Sequence, residues 1–218
     1  MNDTSVMVCD SVSRSFGDVH AVRHVCCVLE AGQRVVIVGP SGSGKSTLLH
    51  IIAGIEVPSS GSVSWPSLGP REELRPRHVA LIFQAPSLLA PLDVLENVAL
   101  PLVLAGVHAD DSKRAAHEAL SRLSLDDLAN RLPQELSGGQ AQRVAVARVI
   151  AGRPRLVIAD EPTGQLDHRT GARMLDVLDA AVDEIGAALV LSTHDPRVAA
   201  RFDARWTMSD GRLVVEAA

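Results

Sequence analysis

Two strings in this chain carry the residue types needed to handle a polyphosphate. The first, Gly39-Pro40-Ser41-Gly42-Ser43-Gly44-Lys45-Ser46-Thr47, fits the pattern G-x-x-x-x-G-K-[ST]. Its glycines let successive backbone N–H groups turn inward around an anion. A helix opening near Lys45 would aim its positive end at the same charge. Lys45 would then reach the β- and γ-phosphates of a nucleoside triphosphate, and the Ser46 hydroxyl would hold Mg²⁺. The second string, Leu156-Val157-Ile158-Ala159-Asp160-Glu161, ends an apolar run in two carboxylates. Ligands of open α/β sheets sit at such strand ends. Asp160 would orient Mg²⁺ through water, and Glu161, one residue further on, would polarise an attacking water. A base so positioned contributes about 10²–10⁴-fold.

Between these strings stands Leu136-Ser137-Gly138-Gly139-Gln140. At roughly 5–10% usage per residue, a given pentapeptide arises by chance about once in 10⁶ positions. Ser137 and Gln140 match the S-x-x-Q capping box of a helix start. A cap needs no glycine pair, whereas two glycines at a helix N-terminus expose N–H groups to an anion; both readings hold together. His194, in Ser-Thr-His-Asp, closes an apolar run and would hydrogen-bond the γ-phosphate. Gln84 follows another apolar run and offers a neutral amide to Mg²⁺ or to water. Phe16, in Arg-Ser-Phe-Gly, is a candidate for stacking on a base, although a lone Phe also suits a core.

Strands and helices must bring these groups together. Alternation and β-branched runs predict strands over Val6–Val12, Ala21–Leu29, Gln33–Val38, Arg155–Ala159 and Ala187–Ser192. Strands are also expected at Ser62–Trp65 and His78–Phe83, joined by the charged turn Arg71-Glu-Glu-Leu-Arg-Pro, and a hairpin around Asp210-Gly211. Helical spacing marks Ser46–Ala53, Asp93–Leu104, Asp111–Leu123, Gly138–Ile150 and Thr170–Ile185. The alternation of strand and helix gives an α/β fold with a parallel sheet. One domain is expected over 1–218: residues 1–84 and 151–218 form the nucleotide-binding core, and 85–150 an inserted helical subdomain.

The bulk numbers agree. A chain of 218 residues, 46% hydrophobic, can bury a large core, and its net charge of −5 argues against a nucleic-acid partner. Cys9, Cys26 and Cys27 are odd in number and lack C-x-x-C spacing, so they read as reduced thiols packed as small hydrophobes. Met1-Asn-Asp-Thr-Ser has no leader pattern. The apolar stretch Val98–Val107 is too short to span a bilayer and contains Pro101 and Gly106.

Together these residues resemble the nucleotide-binding subunit of ABC transporters, over nearly the whole chain. Gly39–Thr47 is similar to its Walker A, Phe16 to its A-loop aromatic, Gln84 to its Q-loop and Leu136–Gln140 to its signature. Leu156–Asp160 resembles Walker B, Glu161 the catalytic glutamate, Gly164-Gln165-Leu166-Asp167 the D-loop and His194 the H-loop switch. The resemblance implies a P-loop NTPase core with a small antiparallel β subdomain and an inserted helical subdomain. It implies ATP and Mg²⁺ as cofactors and a head-to-tail homodimer in which Ser137, Gly138 and Gly139 act on the neighbour's ATP. It also implies a permease docked on the helical subdomain near Gln84–Val98, with Leu88, Leu89 and Leu92 as candidate contacts, and a cytoplasmic, peripheral place on the inner face of the membrane.

Glu161–Asp167 and Leu95–Gly106 look like the branch serving lipoprotein release, macrolide export and cell-division force transmission. Two positions depart from the family's pattern: Phe16 stands where tyrosine is commoner, and Gln165 where this branch usually has asparagine. The segment Ser62–Phe83 is shorter than usual, so a trimmed antiparallel subdomain is expected. A soluble ABC ATPase working on DNA or ribosomes is the alternative. DNA-repair members carry a long coiled coil between Walker A and the signature, yet only residues 46–136 intervene here, without sustained heptads.

Overall fold

Unbroken runs of Val, Ile and Leu become the inner strands of a parallel sheet, buried on both faces. The structure is a computed structural model and describes residues 5–216; the N-terminal residues read above for a leader lie largely outside them. In chain order the strands are β1 (Ser5–Phe16), β2 (Val19–Glu30), β3 (Arg34–Val38), β4 (Ser60–Ser64), β5 (Val79–Ile82), β6 (Leu156–Asp160), β7 (Ala188–Thr193), β8 (Ala204–Ser209) and β9 (Arg212–Glu216). The helices are α1 (Lys45–Ile52), α2 (Val94–Leu104), α3 (Ala109–Arg122), α4 (Gly138–Gly152), α5 (His168–Ile185) and the short α6 (Pro196–Ala199).

The six-stranded sheet runs β5-β6-β7-β3-β8-β9, parallel except for the β8–β9 hairpin. Period-two alternation divides its side chains between two cores. Val36, Val157, Ala159, Leu189 and Leu191 face a layer built on α2 to α5. Val35, Ile37, Leu156, Ile158 and Val190 face α1 and a second sheet, ordered β2-β1-β4 and antiparallel. The Trp65 indole N–H donates to the Ile52 carbonyl at 2.8 Å, tying the turn after β4 to the end of α1.

One expectation is corrected. Ser62–Trp65 and His78–Phe83 are not a pair: β4 adds to β1, whereas β5 lies beside β6 in the other sheet. The charged segment between them crosses from sheet to sheet, with a single helical turn at Arg71–Glu73. Strand β1 also runs further than predicted. Register shifts around Val12 and Arg14, with Ser11 at φ 51°, hide its alternation.

Two helix starts carry reciprocal capping boxes. Asp93 caps α2 by accepting from the Glu96 N–H at 2.8 Å, while the Glu96 carboxylate accepts from the Asp93 N–H at 3.0 Å. Ser137 and Gln140 make the same reciprocal pair at the start of α4. Among the described residues, no helix is long and apolar enough to cross a membrane.

Candidate nucleotide site

At the carboxyl ends of β3, β6 and β7 lies a cavity of about 820 Å³. Its inner wall is Ser41, Gly42, Gly44, Lys45, Ser46, Thr47, Gln84, Asp160, Glu161 and His194, and its outer wall includes Asp18–Ala21 and Gly211. The loop between β3 and α1 has no room for side chains at two points. A Cβ on Gly44, whose φ is 102°, would collide with the Ala21 carbonyl, and one on Gly39 would collide with that of Met208.

Lys45 is 5% exposed. Its ammonium donates to the carbonyls of Gly39 and Pro40, at 2.9 and 3.0 Å, and stands 3.8 Å from the Glu161 carboxylate. The other Glu161 oxygen lies 2.7 Å from His194 Nδ1. Glu161 thus bridges a buried cation and an exposed imidazole. Its backbone is strained: φ is 45°, the left-handed region. Strain of this kind persists only where neighbours impose it, and Ser192 is the neighbour. The Ser192 hydroxyl donates to Asp160 at 2.6 Å and accepts from the Glu161 N–H at 3.1 Å, so one buried side chain fixes both acids.

Known proteins share this sequence and fold. A family model described as ABC transporter matches residues 22–164. The chain belongs to the ABC transporter family. It is 41% identical to the ABC transporter ATP-binding protein YbbA of Escherichia coli K12, over 95% of this chain and 94% of that one. Identity is 36% with the lipoprotein-releasing system ATP-binding protein LolD of Legionella pneumophila, over 98% of both chains. Among solved structures, the cassette MJ0796, dimeric and bound to ADP and Pi, superposes with a TM-score of 0.84 at 34% identity, covering 96% of this chain and 97% of that one. CbiO1 of Clostridium perfringens, part of the transporter complex cbiONQ, gives 0.84 at 27% identity, covering 97% and 87%.

Within this ABC ATP-binding domain, the predicted site residues divide into two groups. The Walker A residues, Asp160, Glu161, Gln84 and His194 meet in one place. The buried Ser43 hydroxyl, in the same loop, has no hydrogen-bond partner within the protein. Ser46, Gln84 and Asp160 present hydroxyl, amide and carboxyl oxygens to the same cavity, the hard donors Mg²⁺ prefers. Among the described residues no three His, Cys, Asp or Glu side chains cluster as a metal site. A cation here would therefore share its shell with phosphate and water, the habit of Mg²⁺ in nucleotide sites.

The second group stands apart. Ser137, Gly138, Gly139 and Gln140 do not line the cavity, and Ser137 and Gly138 are exposed. Phe16 is 47% exposed, just beyond the outer wall, with the Arg14 guanidinium 4.5 Å over its ring. A cation already covers one face of the aromatic. Asp167 caps α5, accepting from the N–H groups of Arg169 and Thr170 and from the Thr170 hydroxyl. The Thr170 hydroxyl first, and then these N–H groups, hold its carboxyl below the usual range. It borders a separate cavity of about 380 Å³, shared with Glu161, Gly164 and His194.

An apolar groove of about 310 Å³ lies between β5 and α2, lined by Leu81, Phe83, Leu100, Pro101 and Leu104. Of the expected docking leucines, Leu89 is 48% exposed. From 84–98 only Ser87 lines the groove, and none of Leu88, Leu89 and Leu92 does. Leu88 packs on the core. The buried Asn97 amide holds the carbonyls of Leu89, Leu92 and Asp93, which folds that stretch onto α2.

Sequence reasoning missed Ser192 and Asn97. Ser192 did leave a trace, a hydroxyl ending an otherwise apolar strand two residues before His194. Asn97 left none, because a polar residue on a predicted amphipathic helix reads as solvated.

Proposed function

We propose that two copies of this chain close head to tail around two ATP molecules, hydrolyse them, and thereby drive a membrane permease. In each site, Lys45 and the Walker A N–H groups hold the β- and γ-phosphates. Glu161 polarises the attacking water, and His194 hydrogen-bonds both the γ-phosphate and Glu161. Mg²⁺, held by Ser46, Gln84 and Asp160, would neutralise charge on the phosphates. The partner's glycine pair and helix terminus at Ser137 complete the anion site. The observation that carries this reading is the bridge from Lys45 through Glu161 to His194, set against a signature segment outside its own chain's cavity.

The permease would seat a helix in the groove between β5 and α2, which would keep the subunit at the inner face of the membrane. Resemblance to LolD favours a lipoprotein-release or extrusion system, including its force-transmitting relatives. The test is Glu161→Gln. We expect it to retain ATP binding and lose at least about 10²-fold in turnover. With ATP, it should elute as a dimer in size-exclusion chromatography with light scattering. Unchanged phosphate release, or a monomer at saturating ATP, would overturn the proposal.

A further inference from the structure

We infer that Gln142 is a positioning residue for hydrolysis, setting the spacing between the loop that carries Gln84 and the loop that carries Glu161. The inference rests on the hydrolytic reading above and adds a residue to it.

Gln142 lies in the second turn of α4, ahead of an almost unbroken apolar run, and is 2% exposed. An amide buried there costs free energy unless both its N–H groups find acceptors. They do. Nε2 donates to the Phe83 carbonyl at 3.2 Å and to the Pro162 carbonyl at 2.9 Å. Phe83 immediately precedes Gln84, and Pro162 immediately follows Glu161. The β5–β6 ladder pairs Ile82 with Ala159 and goes no further. Beyond that pair the two chains carry the site residues, and the Gln142 amide bridges them.

The chemistry selects the residue type. An NH₂ group has two hydrogens for two carbonyls. A carboxylate has none to give, and an aliphatic side chain would leave both carbonyls bare. The same helix grips this loop a second time: Arg148 donates to the Ser87 carbonyl and hydroxyl at 3.0 and 3.1 Å. From the other side Gly164 crowds Gln84, since a Cβ there would come 2.9 Å from the Gln84 amide nitrogen. The Gln84 loop therefore moves with α4, whose first residues are the signature. Displacement of the Ser137 end would reach Gln84 and Glu161 through Gln142.

The experiment is Gln142→Met, which keeps volume and removes both donors. We expect kcat for ATP to fall at least tenfold, within the roughly 10²-fold that an ångström-scale misplacement costs. KM for ATP and affinity for a fluorescent ATP analogue should stay within about twofold, unlike the effect of general unfolding. In a Gln84→Ala background the same change should cost much less in kcat, whereas its effect on Tm should be equal in both backgrounds. A kcat within twofold of the unmodified chain, or equal losses in both backgrounds, overturns the inference. If Gln142→Met does not fold, Gln142→Asn takes its place, with the amide drawn back by one methylene and the same expected losses and limits. Phosphate release by the unmodified chain keeps the two readings distinguishable, because absence of turnover in every chain would refute the hydrolytic reading itself.

Discussion

The cradle around Lys45 and the segment at Ser137 both stand at a helix N-terminus, yet they differ in what surrounds them. At the cradle the charged groups are engaged with their own chain: Lys45 with two carbonyls and Glu161, Glu161 with His194, Asp160 with Ser192. At Ser137 the neighbours are its own helix and solvent, and a Cβ on Gly138 would meet nothing within 4 Å. One region explains its residues from within the chain. At the other, a Cβ on Gly139 would come 3.0 Å from the Thr170 methyl, whereas Gly138 has neither a crowded neighbour nor a positive φ to require glycine. Under the proposed function, its bare backbone would admit the close approach of a second copy's nucleotide. The contrast supports the proposal that each ATP is shared by two copies.

The sharpest way to break this comparison is to damage each region in a separate chain. Lys45→Ala and Ser137→Ala should each lower turnover by about 10²–10³-fold, the usual cost of losing an anion-stabilising donor. Mixed together, they form hybrids in which one site keeps both an intact Lys45 and an intact Ser137. Phosphate release by the mixture should exceed that of either variant alone, and no recovery would mean that both groups serve the same chain's nucleotide.

A second test needs one substitution. Gly138→Ala should leave Tm unchanged or slightly higher, because Ala is the better helix former by up to about 1 kcal/mol. Hydrolysis should nevertheless fall, with the loss greatest at low protein concentration, where dimers are scarce. Full activity would show that no close approach occurs at Gly138.

The smallest effect concerns Asp167, whose carboxylate is already committed to capping α5. Its native pKa is depressed, by the Thr170 hydroxyl first and then by backbone N–H groups. Its contribution is therefore present above the ordinary Asp value of about 3.9 and is lost as pH falls through the lower native value. Asp167→Ala should lower Tm at pH 7, and thermal melts should show the gap closing as the pH drops below about 4. A gap independent of pH would remove Asp167 from the capping role.

Much of this was legible in the sequence, and the misses have physical causes. The parallel core was readable because buried strands are written in nearly continuous apolar runs, as in Arg34–Val38 and Ala188–Thr193. The phosphate loop was readable because few side chains fit where Gly39 and Gly44 meet passing carbonyls. Sheet partnership was not: local propensity says that 62–65 is extended, but the choice of β1 over β5 is made by long-range packing. The shape of the Gln84–Val98 stretch was not legible either: the Asn97 amide, distant in chemistry from any motif, ties the Leu89 and Leu92 carbonyls to α2 while the Leu89 side chain stays exposed. Polar residues that serve backbone carbonyls, Gln142 above all, carry no motif because their partners have no side-chain identity.

The left-handed turn at Glu161 sets endurance against activity at a single position. A residue with a Cβ gives up roughly 1–2 kcal/mol to sit there, and glycine would recover it. A Glu161→Gly chain would therefore melt higher, and under the proposed mechanism it would lose the group that polarises water, so heat resistance and turnover would pull this one position in opposite directions.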